Sequence, residues 1–204
     1  MTVLKVRLTF DEEVLGLSPN DDEIYTNFIG TKAPDAATLE EEVAALGVEE
    51  VVEKTMTIFP RNKDGVPFLW NYQIKGFFKD ACGALQRVKG AKKGDLGYQC
   101  GKIKAYRKII DGCVFVSPRQ IPFKFEGEVG TCERPLRIGS REGERTALAC
   151  SETIPADSVI ELEIKCLSDD HVDFIKECLD YGELRGISQW RNSGKGVFRW
   201  EQIS

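Results

Sequence analysis

The sequence predicts an α+β fold, an antiparallel sheet with helices packed on one face. Two kinds of periodicity and the order of the elements carry that prediction. Residues 3–10 and 160–165 alternate apolar with polar side chains, the period of a half-buried strand. Ile74, Phe77, Phe78, Ala81, Cys82 and Leu85 recur at three and four, as do Val172, Ile175, Cys178 and Leu179, the period of a helix with one buried stripe. The elements read β, α, β-hairpin, α, several strands, α, β, an order that suits a sheet covered on one side.

In chain order, an acidic stretch at 11–23 follows the first strand, with Gly16, Pro19 and Asn20 as turn signals. Residues 35–53 carry helix formers after Pro34, with Leu39, Val43 and Leu46 on one stripe. Glu40, Glu41, Glu42, Glu49 and Glu50 then form a solvated face, or a surface for a basic partner. Short β-rich runs at 55–60 and 66–70 flank Asn62-Lys63-Asp64-Gly65, a hairpin signal. A helix is expected from 72 to 88. Residues 89–101 hold four glycines and three lysines and read as a mobile loop, with a short helix after it at 103–110. Runs at 113–117 and 120–125, interrupted by Pro118 and Pro122, fit an edge or a bulge. Strands are expected at 132–138, 145–151 and 158–167. A helix opening at Asp169 and Asp170 and a glycine-bearing segment at 182–196 lead into a closing strand at 197–203.

Composition narrows the class. The chain has 204 residues, 42% hydrophobic and 30% charged, enough for a core in a single domain spanning 1–204. It has no apolar run near the ~18 residues of a membrane span, and its N-terminus lacks the apolar stretch of a signal peptide. A cytoplasmic protein is therefore expected. Of the seven cysteines, no two are closer than twelve residues, so the paired spacing of a zinc ribbon is missing and reduced thiols are expected. Cys113, Cys150, Cys166 and Cys178 lie among apolar residues and read as small buried hydrophobes. The net charge of −5 conceals segregation: residues 1–60 carry −9, residues 61–145 carry +9 and residues 146–204 carry −5. An acidic region at 11–53 therefore precedes a basic, flexible insertion at 87–108.

Three segments carry a family likeness. Asn71-Tyr72-Gln73-Ile74-Lys75-Gly76-Phe77-Phe78 leads into a helix. Residues 147–158, containing the turn Pro155-Ala156-Asp157, lead into an alternating strand. Residues 182–198 contain Arg191-Asn192-Ser193-Gly194-Lys195-Gly196 before the last strand. In this order and spacing, over roughly residues 55–204, the chain resembles the RAMP superfamily, the RNA-binding backbone subunits of CRISPR effector complexes. As a whole it is also similar to proteins of bacteriophages and prophages. The resemblance implies a ferredoxin-like, RRM-like core that binds the RNA backbone.

Candidate nucleic-acid contacts follow from residue chemistry. Around Gly194 and Gly196 the backbone can approach a ligand; Arg191, Lys195 and Arg199 supply charge, and Asn192 and Ser193 hydrogen-bonding groups. The alternative is a turn with incidental charges. Lys89, Lys92, Lys93, Lys102, Lys104 and Arg107, with Arg87 and Lys108, form the strongest electrostatic feature. Tyr98 and Tyr106 among them suit base stacking, against the alternative of a solvated loop. Arg134, Arg137, Arg141 and Arg145 make a second patch. Phe68-Leu69-Trp70 and Phe77-Phe78 read as core before stacking platforms, Trp190 is divided between packing and partner contact, and Trp200 is expected against the sheet.

The single histidine, His171, lies among Asp169, Asp170 and Asp173, which would repel a phosphate. No nucleophile motif, phosphate-binding Walker loop or metal-ligand triad appears, and Asp21, Asp22 and Glu23 read as a surface turn. A non-enzymatic protein without cofactor or metal is expected. Its partner is single-stranded RNA or a CRISPR ribonucleoprotein, with self-association left open, and the family likeness extends this to an anti-CRISPR acting by mimicry of a backbone subunit. Alternatives are a phage single-strand-binding accessory, a protein that sequesters a nucleotide, and an endoribonuclease.

Overall fold

The structure is a computed structural model that describes residues 1–19, 56–140 and 143–203. The helix expected at 35–53 lies outside these residues, as do Asp21, Asp22 and Glu23. The strands are β1 (Thr2–Phe10), β2 (Val14–Leu15), β3 (Ser18–Pro19), β4 (Thr57–Ile58), β5 (Phe68–Trp70), β6 (Val114–Ser117), β7 (Gln120–Pro122), β8 (Gly130–Ser140), β9 (Gly143–Ile154), β10 (Val159–Cys166) and β11 (Phe198–Gln202). The helices are α1 (Asn71–Leu85), α2 (Tyr98–Lys102), α3 (Tyr106–Cys113) and α4 (Asp170–Arg185), with a 3₁₀ turn at Arg191–Ser193. They divide into two units, one made of Met1–Val14, Pro60–Gly127 and Pro155–Ser204, the other of Leu15–Phe59 and Glu128–Ile154.

The first unit is a βαββαβ core, β1-α1-β6-β10-α4-β11, with sheet order β11-β1-β10-β6 and every neighbour antiparallel. That is the ferredoxin-like arrangement, in which each crossover skips one strand. Period two decides which face is covered. Leu4, Val6, Leu8 and Phe10 of β1 and Ile160, Leu162, Ile164 and Cys166 of β10 are buried, while the residues between them are not. The helices bring the matching stripes: Ile74, Phe77, Phe78, Ala81, Cys82 and Leu85 from α1, and Phe174, Ile175, Cys178 and Leu179 from α4. Phe198 joins the layers, its ring 5.8 Å from that of Phe10 and 5.5 Å from that of Phe77. Phe77 and Phe78 are thus core. Trp200, paired with Leu8 across the sheet, donates from its indole nitrogen to Asp180 of α4 at 2.8 Å.

The Asp64-Gly65 turn forms, with Gly65 at φ +77° and the Asn62 side chain accepting from the amides of Asp64 and Val66. Its flanks do not make the expected hairpin. They meet only at a bridge between Arg61 and Pro67; β5 instead pairs with β7, and β4 belongs to the other unit. The reason is chain length: two short runs cannot pair along their length once Phe68–Trp70 finds a partner that buries Phe68 and Leu69.

The second unit is a sheet in which β2, β9, β4 and β3 follow one another and β8 pairs with β9. The strands expected at 132–138 and 145–151 are one long antiparallel hairpin, in register from Gly130 opposite Thr153 to Ser140 opposite Gly143. Thr57 pairs in parallel with Ser151, and the two hydroxyls are hydrogen bonded at 2.8 Å. Gly16 lies where a Cβ would stand 2.6 Å from the Ile58 carbonyl carbon.

Two glycines separate tight packing from open helix. A Cβ on Gly182 would lie 2.1 Å from the buried Phe198 ring, whereas Gly76, on the exposed face of α1, has no heavy atom within 4 Å of that position. Gly182→Ala is expected to cost about 1–3 kcal/mol through overpacking. Gly76→Ala is expected to gain about 0.5–1 kcal/mol by restricting the unfolded chain. Denaturant midpoints of the two variants should move in opposite directions.

Candidate nucleic-acid interface

The glycine loop joins α4 to β11 and is held at several points. The Ile187 amide donates to the Gly196 carbonyl at 2.9 Å, and the Gly196 amide donates to the Glu13 carbonyl at 2.9 Å. Gly186, Gly194 and Gly196 all have positive φ. A Cβ on Gly196 would lie 2.0 Å from the Ile187 carbonyl oxygen, so this glycine permits a crossing of the protein's own chain. Only Gly194 has open space where its side chain would be.

The cations of this loop face carboxylates. Arg191 Nη1 is 2.6 Å from Asp80 Oδ2 on α1, Lys195 Nζ is 3.3 Å from both Glu12 and Glu13, and Arg199 Nε is 2.6 Å from Asp11. Burial alone would lower the Lys195 pKa; the two glutamates outweigh it and hold the ammonium above its ordinary value. The Asn192 side-chain oxygen accepts from Arg185. Ser193 closes the 3₁₀ turn through its amide, which donates to the Trp190 carbonyl. A phosphate at this loop would compete with groups already in place.

The basic insertion is different. Arg87, Lys89, Lys92, Lys93, Lys102, Lys104, Arg107 and Lys108 are all exposed, and none has a carboxylate within ion-pair distance among the described residues. Tyr98 lies under Lys102, whose nitrogen is 3.5 Å from the ring centre, and Arg107 lies 5.8 Å from the Tyr106 ring. Part of the expected loop is helical. The buried carboxylate of Glu177 on α4 accepts from the amides of Gln99 and Cys100, at 3.0 and 2.8 Å, at the start of α2. Gln86, at the end of α1, donates to the carbonyls of Cys100 and Ile103. Cys100 is fully buried, its sulfur 3.7 Å from that of Cys178. Hydrogen sharing with Cys178 and Cys82, together with burial, pushes the Cys100 thiol well above its ordinary pKa. The basic side chains thus project from a segment anchored by one carboxylate, one amide and one thiol. Glu177 and Gln86 were not legible as anchors, since their partners are distant in sequence or are backbone groups.

The open face of the ferredoxin-like sheet is charged. Arg7 pairs with Glu161 at 2.8 Å and Glu201 at 2.9 Å, Lys124 with Glu161 at 2.6 Å, and Lys5 and Lys165 each with Glu163 at 3.7 Å. Hydrogen bonds from Lys124 and Arg7 hold the Glu161 carboxyl below its ordinary pKa. RRM sheets stack bases on aromatic side chains. On this face the central strands β1 and β10 present Val3, Lys5, Arg7, Thr9, Glu161, Glu163 and Lys165, none of them aromatic, and the edge strand β6 adds the exposed Phe115 opposite Lys165.

In the second patch Arg134 is buried, Arg137 and Arg145 lie on β8 and β9, and Arg141 is outside the described residues. His171 stands in the first turn of α4 with its ring 5.8 Å from that of Phe174, edge to face. Trp190 is 37% exposed and adopts φ +54°. Near Trp70, three further residues converge that the sequence did not single out together: Tyr72, Arg119 and Gln120.

Replacing Glu177 tests the anchor. Charge-assisted hydrogen bonds are worth about 1.5–3 kcal/mol. Glu177→Gln is expected to lower stability by about 2 kcal/mol and to speed hydrogen exchange at the Gln99 and Cys100 amides, leaving the amides of β1 protected in proportion to global stability alone.

No protein-family profile and no curated protein sequence matches the chain. Solved structures do. A subunit chain in the cryo-EM structure of the type III-B Cmr-beta complex bound to cognate target RNA matches with a TM-score of 0.54 and 14% identity. That alignment covers 100% of this chain and 61% of the other, so the chain spans about three-fifths of that neighbour's length. Cmr6 from Pyrococcus furiosus matches with a TM-score of 0.50 and 10% identity over 97% of both chains. At these identities the likeness is one of fold alone, the ferredoxin-like α+β arrangement described above.

Proposed function

We propose that the chain is a non-enzymatic protein that binds single-stranded RNA or a CRISPR ribonucleoprotein through the basic segment 87–108. The observation that carries this is the contrast in charge compensation. The cations of the glycine loop and of the sheet face are paired with carboxylates, while those between Arg87 and Lys108 are exposed and unpaired among the described residues. Unpaired exposed cations contribute their full charge to a polyanion, because no internal ion pair must break first. The RAMP-like fold supports RNA as that polyanion by analogy, one neighbour having been solved with target RNA. In its finer form the proposal is counter-defence, a phage-encoded subunit-like protein that occupies guide RNA or an assembly site of a working effector. His171 has no assigned chemistry in this scheme.

The salt dependence of RNA binding tests it. Affinity should fall linearly with salt on logarithmic axes, by about 0.7 per phosphate neutralised for single strands. Replacing Lys89, Lys92, Lys93, Lys102 and Lys104 together with alanine should flatten the slope by about 3.5 if each meets one phosphate. Neutralising Arg191 and Lys195 to glutamine should change it by less than 1, since their charge is already compensated. An unchanged slope in the five-lysine variant rejects the assignment, and RNA cleavage by the wild type that is lost in His171→Ala rejects the non-enzymatic part.

A further inference from the structure

A separate feature stands at the other end of α1. Trp70 immediately precedes the helix, and Tyr72 lies in its first turn. Their rings are nearly parallel, 15° apart with centroids 6.2 Å apart, an offset stack. The Arg119 guanidinium carbon is 5.5 Å from the Trp70 ring centre. Phe68, buried, meets Trp70 edge-on at 4.8 Å and fixes it from below. The surrounding backbone is pinned. Trp70 pairs with Gln120 across β5 and β7, its amide donates to the Gln73 side chain at 2.8 Å, and the Asn71 amide donates to the Arg119 carbonyl at 3.0 Å. Beside Trp70 opens a hollow of about 560 Å³ lined by Trp70, Pro118, Arg119 and Gln120, with no carboxylate in its lining. Tyr72 is 59% exposed, and Arg119 and Gln120 are exposed as well.

We propose that this hollow, lined by Trp70, Arg119 and Gln120 and extended by Tyr72 stacked on Trp70, is a stacking site for an unpaired base of single-stranded RNA. The chemistry fits in each part. Trp70 and Tyr72 supply pre-aligned π faces, which stack on any base and cost little entropy because the rings are already ordered. Gln120 carries both a donor and an acceptor for a base edge. Arg119 adds a cation for the adjoining phosphate and a planar group that continues the stack. By contrast, the hollow beside α2 sets Asp95, Asp173, Glu177 and Asp180 against one cation, Lys176, and its net negative charge repels phosphate. Trp70 and the basic segment lie at opposite ends of α1, whose fifteen residues span about 22 Å. A strand running along that helix meets the lysines with its phosphates at one end and the aromatic site with a base at the other. The inference rests on the RNA-binding function proposed above, and assigns it a base-dependent part that the lysines cannot provide.

The test is a titration of the full chain, at fixed salt, with a mixed-sequence single-stranded RNA and with an abasic strand of the same length. Wild type should bind the base-bearing strand about tenfold more tightly. Tyr72→Ala, at an exposed ring, should remove most of that preference and leave the abasic affinity and the salt slope unchanged. Trp70→Leu should do the same and abolish the quenching of tryptophan emission that base-bearing RNA produces in wild type. The five-lysine variant should weaken binding to both strands and keep the preference. Salt-dependent binding with no preference for bases, or a preference untouched in both aromatic variants, overturns the stacking site alone. No binding of either strand overturns it together with the proposed function.

Discussion

The ferredoxin-like unit depends on the alternation of β1 and β10 and on the register that keeps it. The two strands pair over eight residues, Thr2 opposite Cys166 through Thr9 opposite Val159. In that register Leu4, Val6 and Leu8 share the covered face with Ile164, Leu162 and Ile160. A slip of one residue would turn those apolar side chains to solvent and drive Lys5, Arg7, Glu161 and Glu163 under the helices, where unpaired charge is prohibitive. The charged face reinforces the same register. Lys5 stands directly opposite Glu163, and Arg7 directly opposite both Glu161 and Glu201. Each pair is exposed and contributes little by itself. Their alignment matters because every wrong register loses them at once.

That arrangement limits where a polyanion can act. One sheet face is buried under α1 and α4; the other carries opposed charges on β1, β10 and β11, with Phe115 exposed at its β6 edge. Outside the sheet stand the segments inserted into the core: the loops before α1 and β11, the span between α1 and β6, and the turn from β6 to β7. Among these, the ion pairs sort the candidates. Positive charge in the sequence is a count, whereas charge available to a ligand is what remains after internal pairing. Arg191 looks like a phosphate ligand until Asp80, on another helix, is placed 2.6 Å away. Lys92 and Lys93 stay exposed, next to an Asp95 carboxylate that accepts a backbone amide.

Much of the fold was legible because it rests on periodicity. The stripes of α1 and α4 and the alternation of β1 and β10 are local patterns, and their ends fall within a few residues of expectation. Pairing between distant segments was not local and was not legible. Nothing near Phe68 announces that β5 will join β7, and nothing near Glu177 announces that its carboxylate will hold the first amides of α2. The candidate site is chosen on charge, and its geometry lies outside what local sequence shows. Lys89 to Arg107 could be chosen from composition. The stack of Trp70, Tyr72 and Arg119 could not, because Arg119 is distant from Trp70 in sequence and Phe68-Leu69-Trp70 is a wholly apolar run that reads as core. Asp157 shows a compensation of another kind. It adopts φ +62° and its amide donates to the Phe10 carbonyl, so the turn is made with a residue type that tolerates the left-handed region.

The glycine loop separates what a fold demands from what a ligand demands. Gly186 and Gly196 are needed because two stretches of the same chain cross there: a Cβ on Gly186 would meet the Gly196 carbonyl carbon at 2.6 Å, and one on Gly196 would meet the Ile187 oxygen at 2.0 Å. The Gly196 amide then secures the segment after β1 through the Glu13 carbonyl, while Lys195 binds the Glu12 and Glu13 side chains. These contacts join the end of the first strand to the entry of the last, the two strands that must lie side by side to complete the sheet. A glycine-rich loop at this place is therefore explained by strand docking with no nucleic acid present. Gly194 is the exception, open above its backbone and left-handed at the end of a 3₁₀ turn. Its freedom serves the turn, since a residue there must take φ +82° for the chain to reverse toward Lys195. The loop can thus keep its glycines for reasons of packing alone.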